Sequence, residues 1–243
     1  MPRHEGLDAF EKIGEEVTEV LERRPASLVV ARIIKAKFVR KERDRQATEV
    51  FVGATPALPI ERGLAGPGLL ADTIVRRWQD HLPANRLKGI YAREGVELAR
   101  STICGWHGQL TPLVEPLVAA MRADAFEQPY LCTDATGVLV RAKEQCRRGH
   151  FWVLAVGRKN WLFVGSDDGA HTNAAFTSLL ASCRMMNVEP WAYLRDIFCL
   201  LPKWPSHRLL ELAPVHWAAT VASDEVVALL AADPFRAITL DRG

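Results

Sequence analysis

Apolar positions follow two different periods in the first third of the chain. Residues 27–39, "SLVVARIIKAKFV", alternate apolar and basic side chains, which predicts a β-strand that ends in the following Arg/Lys-rich stretch. Residues 54–68 contain three prolines and three glycines, a composition typical of a linker. Residues 5–22 give mixed helical and extended signals. Helical spacing begins after the linker, where one face of a predicted helix carries Leu69, Leu70, Thr73, Ile74, Trp78 and Leu82.

The next segment, residues 83–123, is predicted to form a helix, a turn, a second helix and then a longer helix. Leu87, Ile90 and Tyr91 line one side of the first helix. Gly95 lies where a chain reversal needs a positive φ, which glycine adopts without strain. These features predict two helices that reverse direction at Gly95.

A helix-turn-helix is one interpretation of this segment. In that motif Val96 and Leu98 fill the core through the turn, and Ser101 or Thr102 caps the second helix, which can lie in the major groove of DNA. Six Lys/Arg outnumber three Asp/Glu between residues 76 and 107, which favours contact with a polyanion. A plain helical hairpin explains the apolar pattern equally well.

Residues 129–140 and 150–156 read as two strands joined by a polar loop. Asp134 falls inside the first of them, where a carboxylate is costly unless it is paired, hydrogen-bonded or bound to a metal. We therefore single out Asp134 as a candidate functional residue. The alternative is an aspartate that ends the strand and caps the adjacent turn together with Thr136.

The C-terminal third is predicted to be helical up to its last segment. An amphipathic helix over 173–187 carries Ala175, Leu179 and Ser182, and a second helix over 189–201 starts at Pro190. A short helix bounded by prolines follows, and residues 218–243 read as a weakly structured tail. Just before these helices, "VLAV-GRKN-WLFV" has a loop length that β-hairpins use, so its two apolar runs can pair.

Composition gives the chain room for one large domain or two small ones, since 49% of its 243 residues are hydrophobic and 25% are charged. Residues 22–45 hold nine Lys/Arg against three Asp/Glu, which indicates a polyanion contact such as nucleic acid, or a solvated basic face. Five cysteines without a C-x-x-C pair predict free thiols, not a disulfide framework or a zinc site. The lack of a long apolar stretch or a secretory signal predicts a cytoplasmic protein.

Three stretches together resemble the DDE-type transposases of insertion-sequence family 66. The longest, residues 157–214, includes "GRKNWLFVGSDDGA" and "NVEPWAYLRD" and is similar to that family's C-terminal segment. Residues 63–106 are similar to the helical region before the catalytic domain, and residues 15–39 to the segment that flanks the family's zinc-binding part. The three stretches occur in the family's order.

The resemblance implies an RNase H-like catalytic fold whose three carboxylates hold two Mg²⁺ or Mn²⁺ ions. Asp134, in "TDATGVLV", matches the family's first aspartate and is the expected catalytic and metal-binding residue. The "FW" at 151–152 matches an early strand, whereas "GRKNWLF" follows the last catalytic acid. Because Val156 leads directly into Gly157, the second aspartate and the glutamate have no counterpart, which predicts an internal deletion.

Two further departures concern metal ligands. The family's zinc-binding cysteines have no counterpart around residues 15–39, so no zinc is expected. Cys146 and His150 make at most two ligands, too few for a structural zinc site, and are interpreted as loop residues. Asp167 and Asp168 could replace a catalytic acid only superficially, because metal-site geometry must be held to fractions of an ångström.

These observations together predict an α+β chain: a helix-turn-helix region, a remnant of an RNase H-like fold and a helical C-terminal segment. The expected divisions are 1–57 (basic), 58–123 (helical), 124–157 (partial catalytic strands), 158–214 (family C-terminal segment) and 215–243 (tail).

The function predicted is that of a catalytically defective transposase derivative that binds DNA at element ends, with an intact transposase subunit as a possible partner and no membrane. An active metal-dependent transposase or nuclease and an inert, unstable relic are the alternatives. The expected DNA contacts are Arg86, Lys88, Arg93, Arg100, Ser101, Thr102, Lys35, Lys37, Arg40 and Lys41.

Overall fold

The computed structural model describes residues 10–24, 27–40, 50–54, 56–128, 136–141, 146–151 and 166–240. Its N-terminal part is an antiparallel sheet of β1 (Phe10–Arg24), β2 (Ser27–Arg40) and the short β3 (Val50–Val52), in that order. The strand expected over 27–39 is therefore confirmed, and the mixed signals at 5–22 belong mostly to a strand. Arg24 pairs with Ser27, so only two residues lie between the two long strands.

Opposite charges pair across the first two strands and explain why an acidic and a basic segment associate. Glu16 lies opposite Lys35 and Glu19 opposite Arg32 in the register, with ion-pair distances of 3.2 and 3.7 Å. Val20 and Ala31, also cross-strand partners, are buried on the face that contacts the helices, where Phe235 packs on them. The sheet is thus held by cross-strand pairs and a small apolar cluster.

Glu22 joins this sheet to the first helix, α1 (Pro67–Ile74). Its buried carboxylate accepts a hydrogen bond from the Leu69 amide at 2.7 Å, at the helix end where backbone N–H groups lack partners. A Cβ on Gly66 would overlap that carboxylate, so the close approach requires glycine. Leu21 adds backbone bonds with Leu64 and Gly66. The predicted linker at 54–68 is therefore anchored to the sheet at its C-terminal end.

The predicted helix over 69–82 is α1 followed by a π-helical turn, Val75–Gln79. The turn changes the helical phase by one residue, and Trp78 is buried within it. α2 (Ala84–Arg93) follows, with Leu87 and Tyr91 fully buried as expected. Gly95 has φ of 89°, which confirms the chain reversal that the sequence predicted.

α3 (Arg100–Phe126) is one continuous helix, whereas the sequence predicted two. Pro112 and Pro116 lie inside it, and both are exposed. Each removes a backbone donor, but the carbonyls left unpaired lie on the solvent side, where water can satisfy them. The helix therefore continues through both prolines.

The predicted cap of this helix is wrong. Ala99 occupies the N-cap position without a side-chain bond, and Ser101 and Thr102 are exposed in the first turn. The connection from α2 spans residues 94–99, longer than the three- or four-residue turn typical of a helix-turn-helix.

A separate antiparallel pair consists of β4 (Thr136–Arg141) and β5 (Cys146–Phe151). The first overlaps the strand predicted over 129–140. The second begins four residues before the strand predicted over 150–156, so Cys146 and His150 lie in a strand and their interpretation as loop residues is wrong. The hairpin predicted around Gly157–Asn160 lies outside the described residues.

The C-terminal part is helical to residue 240, which corrects the expectation of a weakly structured tail. α4 (Asp167–Met185) and α5 (Pro190–Leu200) confirm the two predicted helices, and Pro190 occupies the first turn of α5. Two 3-10 segments, Leu201–Lys203 and Ser206–Leu212, form the proline-bounded region. Beyond them come α6 (Pro214–Val221), α7 (Asp224–Ala231) and α8 (Pro234–Leu240).

The three final helices are ordered because they bury apolar side chains. Trp217 packs edge-on against Tyr193, while Val226, Leu230 and Phe235 are almost fully buried. The sequence signal was weak because each helix is only seven or eight residues long. We refer to residues 56–128 and 166–240 together as the helical body.

One apolar core runs through the helical body. It combines helices that precede β4 and β5 in the sequence with helices that follow them. α3 and α4 pack antiparallel: Thr111 contacts Thr172, and His107 lies against Phe176. Trp191 of α5 donates to the Gly68 carbonyl at the start of α1, at 3.0 Å. The described residues thus form an α+β structure, and none of the helices among them is long and apolar enough to span a bilayer.

Candidate nucleic-acid interface

Four cations predicted to contact DNA lie on the hairpin of α2 and α3. Arg86 and Arg93 are seven residues apart on α2, so they share its solvent face, opposite the buried Leu87 and Tyr91. Lys88 is exposed at the side of α2, and Arg100 is exposed at the start of α3. No ion pair involves these four side chains within the described part of the chain. The hairpin therefore presents four exposed cations, with Glu94 and Glu97 in the connection between its helices.

The solvent face of α3 offers few groups that could read base edges. Ser101, Thr102, Gly105, Gly108 and Pro112 line it together with one exposed amide, Gln109, and a Cβ at either glycine would meet nothing within 4 Å. Base recognition in the major groove depends on side chains such as Arg, Asn and Gln. This composition favours contact with a phosphate backbone over recognition of sequence.

Asp72 of α1 fixes the position of α2. Its carboxylate accepts hydrogen bonds from the Tyr91 hydroxyl at 2.6 Å and from Arg76 Nε at 2.8 Å. Burial lowers the pKa of Arg76, but the adjacent Asp72 outweighs that effect and raises it above its ordinary value. Glu94 lies 3.8 Å from the same guanidinium. The exposed cations of α2 therefore lie on a helix whose position is held by the hydrogen bond between Tyr91 and Asp72.

A buried polar network lies under the hairpin, where α1, α3 and α4 meet. Trp78 Nε1 donates to Asn173 Oδ1 at 2.8 Å, and the π-helical turn orients the indole for this bond. His107 Nε2 lies 3.0 Å from the Thr73 hydroxyl, and its ring packs against Trp78 with centroids 4.8 Å apart. Burial, and secondly the charge of Arg77, lower the pKa of His107 well below its ordinary value. The imidazole is therefore neutral at pH 7.

Arg77 sits at the edge of this network. Its guanidinium carbon lies 5.0 Å from the Trp78 ring centroid, a cation–π contact, and its Nε has no hydrogen-bond partner among the described residues. Burial lowers the pKa of Arg77. Cys104, an exposed free thiol, lies nearby on α3, whereas the thiols of Cys183 and Cys199 are buried.

The basic cluster predicted in β2 differs in character from the α2–α3 hairpin. Lys35 is paired with Glu16, and its side chain is only 11% exposed. Lys37 is half-buried on the same face of the strand. Arg40 ends β2, and its side chain lies outside the described residues, as does all of Lys41. The structure therefore does not place Lys35 on a free basic surface.

The acidic candidates are not brought together among the described residues. Asp134 lies outside them. Asp167 and Asp168 are exposed in the first turn of α4, where Ser166 caps the helix by accepting from the Gly169 amide. Carboxylates at this position stabilise the helix N-terminus. No cluster of three or more potential metal ligands occurs in the described ranges, so these residues do not fit a two-metal centre.

The "YLRD" signature at 193–196 has a structural role in this chain. The Tyr193 hydroxyl donates to the Leu212 carbonyl at 2.8 Å, and Asp196 accepts from Arg195 at 2.7 Å and from Arg236 at 3.1 Å. These bonds fasten the second 3-10 segment and α8 to α5. This part of the resemblance to the family thus makes structural contacts within the C-terminal helices.

Sequence reasoning missed the buried network because its members are far apart in the chain. Trp78 and Asn173 are separated by 95 positions, and no local pattern links them. His107 was visible only as one residue of a predicted helix. The polar residues on otherwise apolar helix faces, Thr73, His107 and Thr111, were the available signal.

Comparison with known proteins gives two family matches. Residues 62–157 match the model described as the Transposase IS66 family, and residues 178–215 match the IS66 C-terminal element. The two matches together cover more than half of the chain, and they fall on either side of residues 158–177. Both contribute helices to the one core described above. No solved structure matches the chain.

The chain is also similar to three proteins of Sinorhizobium fredii (strain NBRC 101917 / NGR234). It is 31% identical to the uncharacterized protein y4hP over 60% of this chain and 26% of the relative. It is 28% identical to the uncharacterized protein y4jD over 63% and 30%, and 25% identical to the uncharacterized protein y4qI over 83% and 38%. The chain thus spans between about a quarter and two-fifths of the length of these relatives.

Proposed function

Because this chain belongs to the IS66 transposase family, we propose that it is a DNA-binding transposase derivative without strand-transfer activity. The observation that carries the proposal is a set of four exposed cations on the α2–α3 hairpin that form no ion pair among the described residues: Arg86, Lys88, Arg93 and Arg100. The DNA ends of an insertion sequence are the proposed target. An intact transposase subunit is the proposed partner.

Phosphate contacts account for most of the proposed affinity. Each cation that neutralises a phosphate releases a counterion, so binding weakens steeply as salt rises. The solvent face of α3 carries two glycines and one exposed amide, Gln109, so base recognition is limited and the binding is expected to tolerate changes of DNA sequence. The hydrogen bond between Tyr91 and Asp72 keeps α2 in place, so the helix that carries these cations is already ordered before DNA binds.

The loss of catalysis is proposed from the acids and from the match boundary. Strand transfer by this family depends on three carboxylates that hold two divalent ions. Asp134 alone matches the set in this sequence, and the transposase match ends at Gly157, where the internal deletion is expected. We derive no metal-dependent step for this chain, because the described acids do not fit such a site.

A salt-titrated binding assay tests the proposal. Fluorescence anisotropy with a labelled duplex of about 30 base pairs is expected to show affinity falling linearly with salt on logarithmic axes. The double variant R86A/R93A is expected to bind more weakly and to reduce that slope by about two, roughly 0.9 per lost phosphate contact.

The matched control is the double variant R122A/K203A. It removes the same charge from exposed positions outside the α2–α3 turn, one near the end of α3 and one in the first 3-10 segment. Its salt slope should stay close to that of the unmodified chain. Affinity that does not change with salt, or an equal loss in both double variants, would contradict the proposed interface.

The competing function is an active metal-dependent transposase or nuclease that uses Asp134 with substitute acids. It predicts cleavage of element-end DNA in Mg²⁺ or Mn²⁺, abolished by D134N. Absence of cleavage in both metals, with binding retained, supports the proposed derivative. Cleavage that D134N abolishes would establish the competing function.

A further inference from the structure

The hairpin of β1 and β2 carries large apolar side chains on both faces, which is unusual for an antiparallel sheet with one side on a core. One face buries Val20 and Ala31. The other carries Val17, Val30 and Ile34, whose exposed fractions are 45, 61 and 54%. Antiparallel sheets with a solvent face normally place polar side chains there, whereas strands that are apolar on both sides are normally buried on both. This pattern indicates that the second face is covered in the working protein.

The charges on this outer face form a complementary pair. Glu19 and Arg32 are directly opposite each other in the register, as are Val17 and Ile34. The ion pair within the chain is weak, since its atoms are 3.7 Å apart and each side chain is more than 60% exposed. Both side chains can therefore make a further contact.

The register makes the face complementary to itself. Consider a two-fold axis that runs parallel to the strands and lies above the outer face, over the midline between β1 and β2. It places β1 of one copy over β2 of the other, with paired residues at the same height along the strands. Glu19 then faces Arg32 of the second copy, and Val17 faces Ile34. The charge contact and the apolar contact each occur twice, as an isologous interface requires.

We propose that the outer face of the β1–β2 hairpin, defined by Val17, Glu19, Val30, Arg32 and Ile34, binds the same face of a second copy of this chain. The two sheets pack face to face, as in a β-sandwich. The result is a symmetric dimer in which the two helical bodies lie on the outside. This dimer does not depend on the proposed DNA-binding function.

Sedimentation equilibrium of the full chain at about 1 to 100 µM tests the dimer. The unmodified chain is expected to approach twice its monomer mass of 27.1 kDa. The single variants I34K and V30K are each expected to raise the dimer Kd at least about 30-fold, because an apolar interface residue becomes charged. V227K, at an exposed valine of α7, should leave the Kd unchanged.

Charge reversal separates contact between chains from effects within one chain. E19R places Arg against Arg32 of the second copy, and R32E places Glu against Glu19, so each variant alone is expected to weaken dimerisation about 10-fold or more. An equimolar mixture of E19R and R32E is expected to recover a heterodimer. Mixing cannot repair the pair within either chain, so recovery reports contact between copies.

Several outcomes would overturn this dimer. A monomer at every concentration means that another molecule covers the face, or none does. A dimer that I34K and V30K do not weaken lies on another surface. Failure of the E19R and R32E mixture to associate removes the proposed pairing. Thermal melts followed by circular dichroism show whether each variant keeps the fold of the unmodified chain. If I34K does not fold, V30K provides the same test of the interface.

Discussion

The helical body and the N-terminal sheet achieve stability in different ways. The body buries Tyr91, Phe176, Tyr193 and Phe198 completely in one core that spans its two sequence segments. The sheet buries only a small cluster of Val20 and Ala31 under Phe235, and relies on cross-strand charge pairs. Dense apolar burial stabilises the helical body, whereas the sheet is stabilised largely by its contacts with that body. The two regions should therefore respond very differently to the same kind of substitution.

The largest effect is expected from Phe176→Ala in the body. It leaves a cavity beside Trp78 and His107, and the free energy of unfolding should fall by about 3–5 kcal/mol. Val30→Ala on the outer face of the sheet should change it by less than about 0.5 kcal/mol at concentrations where the chain is monomeric. Urea denaturation measures both. Equal losses would remove the distinction between the regions.

The next largest effect is expected at the link between them. Glu22→Ala leaves the Leu69 amide without its buried acceptor and should lower the free energy of unfolding by about 1–3 kcal/mol. Glu19→Ala, an exposed position three residues earlier on the same strand, is the matched control and should lower it by less than about 0.5 kcal/mol. Hydrogen exchange of β1 should rise selectively in the Glu22 variant. Unchanged protection of β1 would show that other contacts hold the sheet.

The body should also be the acid-sensitive region. The folded pKa of His107 is lowered by burial, then by Arg77, and among the described residues its ring lies against Thr73, Trp78 and Phe176. As pH falls below about 6.5, His107 binds a proton in the unfolded state but not in the folded state. The free energy of unfolding therefore falls by about 1.4 kcal/mol per pH unit until the folded pKa is reached. Urea denaturation from pH 7.5 to 5.0 should show a shallower dependence for His107→Gln. Parallel curves would place the acid sensitivity elsewhere.

The smallest effect concerns the polar bond between the two segments of the body. Trp78→Phe removes the indole donor and leaves Asn173 Oδ1 buried without it. A double-mutant cycle with Asn173→Ala should give a coupling energy of about 1 kcal/mol. If the changes in the free energy of unfolding of the two single variants add up to that of the double variant within about 0.3 kcal/mol, the bond orients the side chains without stabilising the fold.

Local patterns predicted the elements of this fold better than their relations. The alternation at 27–39, the helical spacing at 69–82, the positive φ of Gly95 and the first-turn Pro190 all follow from short-range chemistry. The cap at Ser101 or Thr102 and the division of the segment after the turn into two helices were wrong, because one helix continues on a buried face. The order of α6 to α8 depends on distant partners such as Tyr193, which no window of sequence contains.

The exposure of the candidate residues could be predicted only in part, for the same reason. Exposed cations on an amphipathic helix can be read from spacing, and Arg86, Lys88, Arg93 and Arg100 are all exposed, while their contact with DNA stays a prediction. The burial of Lys35 could not be read from its own strand, because its partner Glu16 belongs to another strand. The network of Trp78, His107 and Asn173 depends on tertiary packing and was missed.

The antiparallel pairing of α3 with α4 closes the core across a gap of 40 residues between Phe126 and Asp167. Because the helices on both sides of this interval pack directly on each other, the core can close over intervening segments of different lengths at a modest cost in loop entropy. We therefore expect insertions and deletions between residues 127 and 166 to change the stability of the helical body little.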